Sequence, residues 1–589
     1  MTHSPEHDRR NQLHHQEDPM SDFDLVIRGG TVVDGTGHAP VESDVAIKDG
    51  KIAQVGAVPG RGAEEIDAKG KLVTPGFVDI HTHYDAQAVW DSHLAPSAWH
   101  GVTTVIMGNC GVGFAPCKPA DRQRLIELME GVEDIPDVVM HEGLKWEWET
   151  FGEYLSALER KQRDVDVCAL LPHAAVRVFV MGDRAINLEN ANQGDIAQMR
   201  DIAREAMQAG AFGFSTSRSI SHKTLKGDPT PTLQAQEDEL TGIALGMKDA
   251  GSGMLEIVSE WAPDPQAEFA MVRRITETSG RPTVFTLTQR HARPEVWRDL
   301  LRYADAAAAD GVPVRPVFGP RATGALLGLS GSQNPFSGTR TYQTIAHLPL
   351  AERVARMRDP ETRKKILSED PKEFNKFPLF HRLRWDLMFR FGNPPIYAPK
   401  KEDSFAAIAA REGRTPEEVT YDVLLESEGT DFIYTTISSY AYGDLSMAET
   451  LLHNRNCIMG LGDGGAHVAF ILDAGFQTWM LTHWGRTLNK FAPEELIRRL
   501  TSDTAGAAGL HDRGILRAGM KGDVNVIDWD RLGAGKPYIA HDLPAGGKRL
   551  LQEVYGYEAT IVSGQVTYRE GQATGALPGR LVRGPQAEP

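Results

Sequence analysis

Cysteine is scarce in this chain: 589 residues contain four, Cys110, Cys117, Cys168 and Cys457. Four scattered cysteines give no disulfide framework to a chain this long, so a reducing compartment, the cytoplasm, is expected. No apolar run reaches the ~18 residues of a membrane span, which leaves the membrane out as a partner. Basic residues are in deficit, with a net charge of −17, and this argues against nucleic acid and anionic lipid. The first nineteen residues, "MTHSPEHDRRNQLHHQEDP", have no apolar segment of the kind a secretory signal carries. They are polar, with His3, His7, His14 and His15, and residues 1–21 read as a disordered extension with Met20 as an alternative start.

What is present is a globular profile, 41% hydrophobic and 24% charged, long enough for more than one domain. Both ends look like short hairpins. "FDLVIRGGTVVDG" and "DVAIKDGKIAQVG" alternate apolar and polar residues near one end, and "GDVNVIDWD" and "YEATIVSGQVTYREG" near the other. Residues 22–74 and 511–589 are therefore expected to form one small β-sandwich around a long insertion.

The insertion, 75–510, alternates apolar runs with helix-like stretches such as 195–210 and 294–311. Eight runs stand out: Phe77–His81, Thr103–Met107, Val165–Leu171, Ala211–Ser215, Met254–Val258, Thr283–Thr288, Val312–Phe318 and Cys457–Leu461. Repeated β-then-α units imply a parallel sheet, and eight of them a closed (β/α)8 TIM barrel with its active residues at the C-terminal strand ends. Residues 325–430 break the rhythm and read as an inserted subdomain. The stretch 133–155, with Trp146 and Trp148, is compatible with a cover over the barrel mouth and with aromatic core packing.

Three strand ends carry residues with metal chemistry. "PGFVDIHTHYD" places His81 and His83 two apart, on one face of an extended chain. "GVTTVIMGNCGVG" ends in Cys110, a thiolate ligand or a buried structural cysteine. "IMGLGDGGAH" ends in Asp463, a carboxylate able to bind a cation and take a proton from water, or a turn aspartate. Each alone has a bland reading; together at the strand ends of one barrel they favour a metal site.

These pieces, with "GAFGFSTS", "GLHDRGILRAGMKGDVNVID" and "DLPAGGKRLL", resemble the amidohydrolase superfamily and, within it, the D-aminoacylase (N-acyl-D-amino-acid deacylase) family, over roughly residues 22–582. The resemblance implies a zinc-dependent hydrolase acting on C–N bonds other than peptide bonds. It implies His81 and His83 as ligands, Cys110 as a ligand able to bridge two ion positions, and Asp463 as ligand and general base. It puts His173 in the pocket, there to polarise a carbonyl or hold an oxyanion, or else as a structural histidine.

The family also supplies histidines from the fifth and sixth strands, and here the chain departs. "GMLEIVSEW" offers Glu256, a further oxygen ligand or a partner for a basic side chain, and "PTVFTLTQRHARP" offers Thr286, Leu287 and Thr288, with His291 beyond in the loop. One Zn²⁺ is accordingly expected rather than two. Arg218, His222, Lys223 and Arg290 are candidate carboxylate donors, or members of surface salt bridges. The expected substrate is a small-molecule amide, foremost an N-acyl-D-amino acid, with a cyclic amide or carbamoyl group as the alternative. A non-catalytic binding descendant of the fold is the third reading, and a homo-oligomer is compatible with all three.

Overall fold

The computed structural model describes residues 21–372 and 383–589; the tail histidines His3, His7, His14 and His15 and Met20 lie outside them. Eight parallel strands, β1 Phe77–Asp79, β2 Val102–Met107, β3 Asp166–Pro172, β4 Gly213–Arg218, β5 Met254–Ser259, β6 Thr283–Thr286, β7 Val314–Phe318 and β8 Ile458–Met459, pair in chain order. Every residue of β2, β3 and β5 is buried, as expected of strands covered on both faces. Beyond β8, Thr82 bridges to Gly464, and the Asp463 amide donates to the His81 carbonyl at 3.1 Å. The barrel thus closes at its C-terminal rim through the two segments that carry the histidine pair and the aspartate. The fold is the expected (β/α)8 barrel.

The intervening helices follow from local pattern. Gln193–Ala209 starts at Asn192, whose side chain accepts from the amides of Gly194 and Asp195, and it stops at Gly210 with φ 107°. Its buried residues Ile196, Met199, Ala203, Ala206 and Met207 recur at helical spacing and face the sheet. Val296–Ala309 does the same with Trp297, Leu300, Ala304 and Ala307.

Strands from both ends of the chain share one nine-stranded sheet. In it Leu72–Pro75 pairs antiparallel with Val524–Ile527, and its own core includes Leu25, Ile27, Val73, Val526 and Ile561. This sheet is locked to the N-terminal end of the barrel. Arg513 donates to Asp166 at 2.7 Å and to Thr104 at 2.8 Å, and Lys521 lies 3.2 Å from Asp166. Between β7 and β8, the strands Thr323–Leu327, Met388–Arg390 and Ile433–Ser438 form a separate three-stranded sheet with its own apolar cluster. Trp148 is buried in the main core, its indole N–H donating to the Phe114 carbonyl at 2.8 Å, and Trp146 packs edge-on to Phe114. Among the described residues no helix is long and apolar enough to cross a membrane.

Candidate metal centre

His81 and His83 follow β1 and are almost fully buried. Cys110 follows β2 in a left-handed conformation, φ 56°. Ligand atoms of these three side chains lie within 4.8 Å of one another. Asp463 follows β8, also left-handed at φ 47°, with Oδ1 3.4 Å from His81 Nε2 and 3.8 Å from His83 Nε2. Cys110 Sγ is 3.4 Å from His81 Nε2. Ligands at ~2.0–2.3 Å from a tetrahedral Zn²⁺ stand roughly 3.3–3.6 Å apart; the two contacts of His81 Nε2, to Cys110 Sγ and Asp463 Oδ1, fall in that range, while His81, His83 and Cys110 form the group that lies together within 4.8 Å. Leu461 and His467, on the same rim, are left-handed too, at φ 62° and 46°. Such backbone costs about 1–3 kcal/mol per residue and clusters where a site dictates side-chain direction. Gly111 has to be glycine: φ is 69°, and a Cβ would sit 2.9 Å from the Ser217 amide nitrogen.

The electrostatics suit a cation. Asp79, Asp85, Glu133, Glu256 and Asp463 converge on this end of the barrel, and the first four are buried outright. Among the described residues none of the five is hydrogen-bonded or ion-paired to a lysine or arginine. Their partners are the His81 amide and Gln477 for Asp79, the Gly108 amide for Asp85, and the Cys110 amide for Glu256. Burial pushes Asp463 and Glu256 up to about 8, and Asp79 and Asp85 up to about 7. It also pushes the Cys110 thiol well up, with Glu256 next in effect. The imidazoles move the other way: His81 falls to about 3 and His467 to about 4, chiefly through burial and then through His222, while burial takes His222 itself to about 4. Neutral imidazoles and uncompensated acids suit a divalent ion.

The structure separates the other candidates. Glu256 stands apart from the triad: Oε2 accepts the Cys110 amide at 3.0 Å, and Oε1, buried and without a partner, is 4.0 Å from His81 Nδ1. It anchors the cysteine turn. His173 has neither ring nitrogen free, with Nδ1 2.8 Å from Thr216 Oγ1 and Nε2 2.8 Å from Glu239 Oε1, so the expected oxyanion role has no donor. Arg218 is taken by Glu268 at 2.7 Å and by the Ala235 carbonyl. Lys223 sits half-buried in the loop after β4, its backbone paired with Pro229. His222, in that loop, has Nδ1 2.7 Å from Ser217 Oγ and lies near enough to His81, His83 and His467 to oppose their protonation. Arg290 pairs with Glu260, keeps a side chain 36% exposed, and opposes protonation of His222. On β6, Thr286 Oγ1 is buried without a partner, and His291 lies beyond the strand with Nε2 likewise unpartnered.

Two residues of the site escape the sequence reading. His467 lies four residues after Asp463, in the glycine-rich turn that announced the aspartate. Glu133 ends the helix Arg122–Glu133, with Oε1 3.3 Å from His83 Nδ1 and Oε2 3.6 Å from His467 Nε2. Nothing in "EGVEDIP" singles it out.

The model of the amidohydrolase family matches residues 64–568, most of the chain, including the strand ends that carry His81, His83, Cys110 and Asp463. The chain belongs to the amidohydrolase family. Membership makes it a metal-dependent hydrolase of amide C–N bonds. An uncharacterised protein of Mycobacterium tuberculosis is 29% identical to this amidohydrolase over 613 residues, 96% of the chain and 94% of the relative. The D-aminoacylase of Alcaligenes xylosoxydans xylosoxydans is 34% identical over 195 residues, 33% of this chain and 37% of that one. The fold is shared with N-acyl-D-glutamate deacylase from Bordetella bronchiseptica, solved with zinc and a phosphonate inhibitor. There the TM-score is 0.63 and identity 22%, over 95% of this chain and 99% of that one.

Proposed function

We propose that this amidohydrolase deacylates N-acyl amino acids, foremost of D configuration, using one Zn²⁺ held by His81, His83, Cys110 and Asp463. The carrying observation is the cluster of His81, His83 and Cys110 within 4.8 Å, with Asp463 Oδ1 3.4 and 3.8 Å from the two imidazoles, amid buried acids that no basic side chain among the described residues compensates. A bound Zn²⁺ supplies a water acidified to near neutrality and a Lewis-acid contact for the scissile carbonyl. Asp463 would hold the ion through Oδ1, which leaves Oδ2 to take a proton and return it to the leaving nitrogen; its side chain is 18% exposed, the most open of the acids it stands among. The buried wall excludes bulk water. His222 is held by the Ser217 hydroxyl through Nδ1, which leaves Nε2 to meet the substrate. Arg290 beside it is the cation at the rim for the amino-acid carboxylate, exchanging Glu260 for the ligand. The D-aminoacylase and the D-glutamate deacylase among the similar proteins support the substrate class.

The test is a hydrolysis screen on paired N-acyl D- and L-amino acids, with zinc measured on the same sample. About one equivalent of zinc and turnover of the D series are expected. Well under one equivalent, with no activity on adding metal, would sink the reading.

A further inference from the structure

Glu133 is expensive where it stands. It is a buried carboxylate at the last residue of the helix Arg122–Glu133, the end where the helix dipole disfavours negative charge. The next residue, Asp134, turns left-handed at φ 53°. No lysine or arginine among the described residues pairs with Glu133; its neighbours are two imidazoles. Its Oε1 faces His83 Nδ1 at 3.3 Å, and Oε2 faces His467 Nε2 at 3.6 Å. Its own carbonyl accepts the His467 amide. His83 Nδ1 is buried and makes no hydrogen bond, and this carboxylate, 3.3 Å away, is the acid that faces it. One residue thus reaches the ligand that follows β1 by its side chain. It reaches the turn after β8, which presents Asp463, by both side chain and backbone.

We propose that Glu133 is a positioning residue. It fixes His83 with the proton on Nδ1 and Nε2 turned toward the ion, and it ties the His467 turn so that Asp463 meets the same ion. The pattern is a carboxylate behind a histidine ligand, which holds the ring and raises its basicity. A group that costs folding free energy and faces one candidate ligand and the turn that presents another is the local conflict expected where function, not stability, selects the residue. The proposal rests on the metal reading above.

Glu133→Gln keeps shape and removes the charge. Zinc affinity is measured by competition with a chelator, the visible spectrum is recorded on Co²⁺-substituted protein, and urea unfolding is followed with and without metal. The expected result is zinc affinity weaker by roughly 10–100-fold, a changed cobalt spectrum, and a metal-free protein that unfolds at the same or higher urea than wild type. A merely structural glutamate would lower the metal-free midpoint instead. Wild-type zinc affinity with an unchanged cobalt spectrum would overturn the proposal, and so would a lowered metal-free midpoint alone. Should Glu133→Gln not fold, Glu133→Asp retains the charge at shorter reach: weakened zinc binding supports the role, and wild-type affinity overturns it. Zinc binding by the wild type, measured first, separates this proposal from the reading beneath it, because a wild type without zinc fails both.

Discussion

Two buried histidines in one barrel have opposite fates, and their partners decide which. His83 is flanked by acids with no hydrogen bond at Nδ1, whereas both nitrogens of His173 are occupied. His173 and Arg177 share Glu239, with Arg177 Nη1 3.1 Å from Oε2, in a fully buried triad. His173→Leu removes one partner of a buried carboxylate and should destabilise by about 3 kcal/mol, read by urea unfolding, with KM unchanged in the folded variant. A loss of kcat with intact stability would return His173 to the active site. Asp463→Asn should act in reverse: a kcat lower by about 10²–10⁴-fold without loss of fold, measured on protein brought to full zinc content. His81, His83, Cys110 and Asp463 were visible in sequence because each ends an apolar run at a spacing that chemistry recognises. Glu133 was not, because a helix C-terminus carries no mark of what it meets in space. Sequence leaves Arg218 open between a carboxylate donor and a salt bridge because its partner, Glu268, lies fifty residues on in another unit of the barrel.

At the level of elements, the two ends of the barrel divide the work. The C-terminal rim concentrates left-handed backbone and unpaired acids, while the N-terminal end is held by satisfied charge. Asp166, at the start of β3, takes Arg513 and Lys521 from the C-terminal segment, and this pairing holds Asp166 down to about 2 despite burial, with the Lys521 and Arg513 charges as the opposing causes. Arg513→Met strands part of that charge and should cost about 3 kcal/mol, lowering the unfolding midpoint while zinc affinity stays at the wild-type value. A change in zinc binding instead would mean that the two ends are coupled. The eight strands were legible because parallel strands buried on both faces are apolar throughout, so their runs stand out from amphipathic helices. Their ends were less so. The Thr283–Thr288 run yields a strand of four residues, Thr283–Thr286, and Cys457–Leu461 yields two, Ile458–Met459.

For the whole molecule, the buried acids set how stability responds to pH. The folded pKa values of His81, His222 and His467 lie below their ordinary 6.5, so above pH 6.5 the folded rings are neutral while the unfolded ones shed their remaining protons, a stabilising slope that fades as pH climbs. The acids act against it. Asp463 and Glu256 are raised to about 8, and Asp79 and Asp85 to about 7, from 3.8 for aspartate and 4.5 for glutamate. Between pH 6.5 and 8 the unfolded chain has already lost these protons while the folded chain still holds part of them. The folded state binds more protons, so stability falls as pH rises through this window. His93, raised by its hydrogen bond to Asp164, works in the same direction. Zinc reverses the balance, since it binds ionised carboxylate and thiolate and competes with protons that grow scarcer as pH rises. The metal-free protein should therefore melt at a lower temperature at pH 8 than at pH 6.5. The gap between zinc-loaded and metal-free midpoints should widen over the same interval. Differential scanning calorimetry at the two pH values, with zinc and with chelator, reads both quantities. A metal-free midpoint that rises toward pH 8 would show that the buried acids are compensated by something other than a metal ion, and the case for the centre would lose its electrostatic half.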